Sequence, residues 1–209
     1  MRSKVTTPPA IEPVTLTELK ASLRVTGSAE DTILTQYITD ARELVERITG
    51  RKLINQTITA YYTGLGENIS GEWWSGTRIA HERILWGSQQ VELEFAPVQS
   101  VTTLHAVESD NSNTLIASTE YYLDNYDDDM RSKIKPVTVI TAGSRNENNI
   151  KCVYVAGYGT TASSVPSALR RAVLVLAGSL YANRGDCGDQ CQANCGATQM
   201  IQPFIIKRA

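Results

Sequence analysis

A chain of 209 residues, 42% hydrophobic and 20% charged, can bury a sizeable core in one or two domains, which argues against wholesale disorder. The formal net charge of −2 argues against a protein that coats nucleic acid over its whole surface, and the pairs Arg51-Lys52, Arg170-Arg171 and Lys207-Arg208 read as solvated faces. No apolar run approaches the ~20 residues that span a bilayer, and Met1-Arg2-Ser3-Lys4 leads to Pro8-Pro9 rather than an apolar core, so no membrane span or secretory leader is expected.

Residues 1–14 read as an extended arm, because Pro8, Pro9 and Pro13 disfavour helix before themselves, with Ile11 and Val14 as apolar anchors. The first helix is predicted to open at Thr15-Leu16-Thr17-Glu18, where Thr15 and Glu18 can satisfy each other's free amides. Leu16, Leu19 and Leu23 share one face, and Gly27 supplies a break. A second helix follows, with Ser28 as its expected cap and Glu30 and Asp31 in its first turn. Ile33, Leu34, Tyr37, Ile38, Ala41, Leu44, Val45 and Ile48 form its apolar stripe, and Asp40, Arg42, Glu43, Glu46 and Arg47 are placed mostly outside it. Gly50 fits the helix stop.

The character of the chain then changes. Strands are expected at Ile54–Tyr62, Val91–Phe95, Val101–Val107, Tyr121–Leu123, Val137–Thr141 and Ile150–Ala156, because these runs are rich in β-branched and aromatic residues. Turn chemistry separates them at Gly64-Leu65-Gly66, Ala96-Pro97, Ser109–Asn113 and Gly143–Asn146. Short strands so spaced point to a small antiparallel sandwich or barrel. After Gly157-Tyr158-Gly159, Pro166 fits the first turn of a third helix over Val165–Arg184, with Ser164 as its cap. That helix is apolar on more than one face, so it should be buried among several neighbours. The expected fold is α+β: a helical bundle built from N- and C-terminal helices, with an inserted antiparallel β-domain. The corresponding segments are 1–52 for the arm and first helices, 53–160 for the β-rich insert, and 161–209 for the last helix and an extended tail.

Several blocks together resemble the gp6-like and gp8-like head–tail connector (adaptor) families of tailed phages. They are Thr7-Pro8-Pro9, Pro13–Lys20, Leu23-Arg24-Val25, Ala41–Glu46 and Thr49-Gly50-Arg51, then Phe95–Val101, Ala156–Gly159, Val165–Ala172 and Tyr181–Arg184. Each block alone is capping, turn or core chemistry; the ordered combination is more specific. The Gly/Trp segment Gly64–Gly76, read as a long exposed loop, and Cys187–Cys195 depart from the family pattern. The resemblance implies a virion structural protein at the head–tail junction, assembled in the host cytoplasm, with no membrane association. It implies a homo-oligomeric ring, typically twelvefold, beneath the portal protein, with neighbouring copies and a tail-side or stopper protein as partners. DNA would pass through the channel without sequence specificity. No catalytic residue and no cofactor is expected.

Candidate sites each have a competing reading. Cys187, Cys191 and Cys195 recur every four residues; three thiolates could hold a metal with a fourth ligand, or a disulfide could form, or the loop could be unliganded. Asp124, Asp127, Asp128 and Asp129 could attract calcium, but lack the Gly and terminal Glu of an EF-hand loop and equally read as a solvated turn. Trp73 and Trp74, between Gly71 and Gly76, either anchor an interface or fold back over the β-domain. Phe204, Ile205 and Ile206 either dock on the portal or an adjacent subunit, or pack on their own subunit. No phosphate-binding glycine loop or catalytic triad pattern is present, and the alternative class is a nucleic-acid-binding or metal-stabilised accessory domain.

Overall fold

The computed structural model describes residues 2–63, 90–125, 131–137, 147–183 and 196–206. The chain divides into two compact units and alternates between them. A β unit comprises Met1–Thr7, Thr57–Glu94 and Ser100–Val155, and a helical unit comprises Pro8–Gln56, Phe95–Gln99 and Ala156–Ala209.

In the helical unit, α1 (Leu16–Leu23) begins with both halves of the Thr15/Glu18 capping box in place. The Glu18 N–H donates to Thr15 Oγ1 at 3.2 Å and the Thr15 N–H donates to Glu18 Oε2 at 2.8 Å. The helix stops earlier than Gly27, because Arg24 turns left-handed (φ 57°) and its N–H closes on Ala21 and Lys20 carbonyls. Helix α2 (Asp31–Thr49) starts at Glu30 rather than at Ser28, and no side chain caps it. The Ser28 carbonyl instead accepts the Asp31 N–H at 3.3 Å as a turn, and Lys20 Nζ donates to Asp31 Oδ1 at 2.6 Å, tying α1 to the start of α2. Gly50 ends α2 as expected, left-handed at φ 72°, with its N–H on the Glu46 carbonyl.

Helix α3 (Ser167–Ala182) follows a 3-10 turn, Ala162–Ser164. Ser164 belongs to that turn, its hydroxyl bonded to Thr161 Oγ1 at 2.8 Å, so it does not cap the helix; Pro166 holds the cap position. Leu169, Ala172, Val173, Leu176 and Ala177 are buried, and α3 packs on α1, on α2 and on the short helix α4 (Ala197–Ile201). Helices from both ends of the chain therefore share one core, with Val14, Leu19, Leu34, Ile38 and Val45 meeting Leu169, Val173, Leu176 and Ile201. Gly157 (φ 145°) is required where the chain re-enters this unit, since a Cβ there would lie 2.5 Å from the Asn55 backbone nitrogen.

Among the described residues the β unit contains two sheets. The five-stranded sheet has the order β1-β2-β8-β4-β5, formed by β1 (Arg2–Thr7), β2 (Gln56–Tyr62), β8 (Ile150–Ala156), β4 (Val98–Val107) and β5 (Asn113–Ile116). The three-stranded sheet has the order β3-β7-β6, formed by β3 (Val91–Glu92), β7 (Lys133–Pro136) and β6 (Tyr121–Asp124). Strands β2 and β8 both bury alternate residues, Ile58, Ala60 and Tyr62 on one and Ile150, Cys152 and Tyr154 on the other, as period-two side-chain direction requires.

Three differences from the sequence reading concern strands. The extended residues of the arm form β1, which pairs antiparallel with β2 through Arg2↔Tyr61 and Lys4↔Thr59. Strand β7 at Lys133–Pro136 was not anticipated, and of the strand expected at Val137–Thr141 only Val137 lies within the described residues. Asn113, read as turn, opens β5 and pairs with Val107.

Candidate assembly surfaces and a buried charge cluster

Glu46 was placed outside the apolar stripe of α2, as was Arg42; both are buried, at 2% and 5% exposure. Burial of a carboxylate requires donors, and four converge on it. Glu46 Oε2 accepts from Lys52 Nζ at 2.9 Å and Arg42 Nη1 at 3.3 Å, while Oε1 accepts from Gln56 Nε2 at 2.8 Å and the Leu53 N–H at 3.1 Å. Arg42 continues the cluster through Nε to Glu12 Oε2 at 2.9 Å, and Thr39 Oγ1 donates to Glu12 Oε1 at 3.2 Å. The Lys52 ammonium also sits 4.7 Å from the centroid of the Phe95 ring. The cluster thus fixes Glu12 of the arm and residues 52–56 against α2. The arm is engaged within its own chain.

The tail residues divide. The Ile206 N–H donates to the Thr49 carbonyl at 3.0 Å and its side chain is buried, 3.5 Å from where a Cβ on Gly50 would lie. The Phe204 carbonyl accepts from Arg51 Nε at 2.7 Å, and the Phe204 ring is half-buried against the helical core. Ile205, between them, is 39% exposed. The run therefore packs Phe204 and Ile206 on their own chain and leaves Ile205 outward.

Ile33, expected in the apolar stripe of α2, and Ile11, expected to anchor the arm, are exposed, as are Leu115 on β5, Tyr122 on β6 and Val137 just beyond β7. Leu115 stands opposite His105 in the β4–β5 pair, on a strand of which only Asn113 had been read, as part of a turn. Trp73, Trp74, Cys187, Cys191 and Cys195 lie outside the described residues, as do Asp127, Asp128 and Asp129. Asp124 is described, and its carboxylate accepts from Lys135 Nζ, which raises the Lys135 pKa. Among the described residues no group of His, Cys, Asp or Glu is arranged to hold a metal. Cys152 is fully buried in β8, and burial pushes its thiol up to about 12. No helix among the described residues is long and apolar enough to cross a membrane.

No curated protein matches the chain. Among solved structures, a chain in "Neck of empty GTA particle computed with C6 symmetry" aligns with a TM-score of 0.76 at 23% identity, over 100% of this chain and 97% of that one. A chain in "Virion of native gene transfer agent (GTA) particle" aligns with a TM-score of 0.74 at 23% identity, again over 100% and 97%. A third, in "Neck of native GTA particle computed with C12 symmetry", gives 0.69 at 22% identity with the same coverage. The family described as "Phage gp6-like head-tail connector protein" matches residues 13–76, which include α1, α2, Glu46 with its four donors, and β2. The whole chain thus has the fold of these particle components, and residues 13–76 carry the sequence pattern of the gp6-like head–tail connectors.

Proposed function

We propose that this chain is a head–tail connector subunit: a virion structural protein that forms a ring at the head–tail junction of a phage-like particle. The observation that carries the proposal is the coincidence of two independent matches. The connector-family sequence pattern covers residues 13–76, and the fold of a particle-neck component covers the full length. Its work would be interface formation, with no bond made or broken in a substrate.

In this reading the ring is closed by heterologous contacts, in which one patch of a subunit meets a different patch of the next. Twelvefold closure, the portal as head-side partner, a stopper or tail-side protein on the other face, and a channel for DNA complete the proposal. The symmetries named for the similar neck structures, C6 and C12, are compatible with twelve copies. Ile205 is the tail residue best suited to a partner, because Phe204 and Ile206 on either side anchor the segment. Trp73 and Trp74 are the aromatic candidates for a second interface. Electron microscopy of the purified chain mixed with its portal tests this directly: rings of added density on one end of the portal are expected. Portals that stay bare at saturating chain concentration would refute it.

A further inference from the structure

The five-stranded sheet has one face that buries its side chains and another whose side chains are half-buried on β2 and β8 and exposed on the edge strand β1. Opposite the buried alternates of β2 and β8 point Thr57, Thr59 and Tyr61, and Lys151, Val153 and Val155. Pairing of Arg2 with Tyr61 and Lys4 with Thr59 brings both cations to this second face, and the Thr6 and Thr59 hydroxyls meet there at 2.7 Å. On β4, Leu104 and Ala106 are buried, so His105 between them belongs to the second face.

The charges on that face have one sign. Arg2, Lys4 and Lys151 stand on it, no carboxylate does among the described residues, and none of the three cations has an ion-pair partner among them. Glu94 is held on the other side of β1 by Ser3, whose cross-strand neighbour is the buried Ala60. His105 reports the same imbalance: burial first, and then the Lys151 charge, lower its pKa, and no carboxylate offsets them. A shallow groove of about 380 Å³ runs along the edge of this face, lined by Arg2, Ser3, Lys4, Thr6, Thr59 and Tyr61.

We infer that this sheet face binds the phosphodiester backbone of DNA. Phosphate oxygens take hydrogen bonds from Arg, Lys, Thr and Tyr side chains, which is the composition of the groove. Protein interfaces favour Arg and Tyr but are depleted in Lys, whereas two of the three cations on this face are Lys4 and Lys151. The identity of the polyanion rests on the connector reading, in which duplex DNA passes the subunit; the charge asymmetry does not.

The test is a titration of the full-length chain into a short labelled DNA duplex of mixed sequence at a series of salt concentrations. Three phosphate contacts predict a log–log slope of about −2.7, hence roughly a 40-fold loss of affinity from 50 to 200 mM salt. The triple variant Arg2→Gln/Lys4→Gln/Lys151→Gln, with unchanged circular dichroism, should lose binding and most of the slope. Arg47→Gln/Arg171→Gln, which removes exposed cations from the helical unit, should change neither. Absence of binding at low salt, or a triple variant equal to wild type, overturns the inference. So does a triple variant that binds DNA normally but no longer joins its portal, which would assign the face to an acidic protein surface. Portal association of the wild-type chain is read separately, so the inference and the connector reading can fail independently.

Discussion

Replacing Glu46 with Ala should be the most destabilising polar substitution in the helical unit. The change leaves Lys52 without its carboxylate and Arg42 with Glu12 and the exposed Glu43 alone, and it strands the Leu53 N–H and the Gln56 amide. Breaking a buried ion pair by removing one partner costs about 3–5 kcal/mol. The two orphaned neutral donors would each add about 1–3 kcal/mol if they stayed dry, but the space left by the side chain admits water to them, so the terms do not sum. We expect a loss of about 4 kcal/mol, a large share of the roughly 5–15 kcal/mol that holds a domain folded. For a chain of this size that corresponds to a fall in Tm of roughly 8–16 °C. Urea unfolding followed by helical circular dichroism measures it, with Glu43→Ala as control because the Glu43 side chain is 56% exposed. Glu46→Gln should fall between the two, since its amide oxygen still accepts one N–H but its charge is gone. A Glu46→Ala loss below about 1 kcal/mol would refute the idea that this carboxylate organises the segment from Arg51 to Gln56.

Gly157→Ala should lose about 3 kcal/mol or more, because it combines a disfavoured backbone angle with a backbone clash, whereas Gly27→Ala, with no atom within 4 Å, should lose about 1 kcal/mol; equal losses would contradict this. For Glu18, the hydrogen bond from the Thr15 backbone N–H, and secondarily the Thr15 hydroxyl and Arg170, hold the carboxyl below its usual value of 4.5. A folded-state pKa below the unfolded one means that this stabilisation is present above about pH 4.5 and is lost as pH falls through the folded value. The stability gap between wild type and Glu18→Gln should therefore close on acidification, and a pH-independent gap would contradict the assignment. Cys152 should resist alkylation in the native chain and react only on unfolding, as read by site-resolved mass spectrometry, because its thiol is buried and held at about 12. In the tail, Ile206→Ala should destabilise by about 2–4 kcal/mol while Ile205→Ala leaves stability nearly unchanged and weakens portal association; the reverse pattern would remove Ile205 as a contact.

Local chemistry was readable wherever the partners lie within one or two turns. Thr15 and Glu18 are three residues apart and form their capping box; Gly50 stops α2 where its stripe ends; the two-sided apolar pattern of α3 correctly indicates a helix buried among neighbours. What was not readable depends on distant chain. Arg42 and Glu46 look like solvated residues on a helical wheel, and become buried only because Glu12, Lys52 and Gln56 arrive from other segments. Strand β1 is short and polar and lies beside Pro8-Pro9, so its only signal is a partner more than fifty residues away in β2. Pro136 removes a ladder N–H from β7, which is tolerated because it lies beyond the stretch paired with β3. The exposure of Ile205 between the anchored Phe204 and Ile206 likewise follows from packing against Thr49, Gly50 and Arg51, which an apolar triplet does not reveal.

Imaging the assembled particle by electron cryomicroscopy puts the whole account to its hardest trial. It predicts that subunit density at the junction of head and tail, averaged with the symmetry of the neck, accommodates this chain as a closed ring around the DNA path. A neck whose density is fully explained by other proteins, with this chain absent from the particle, would contradict it.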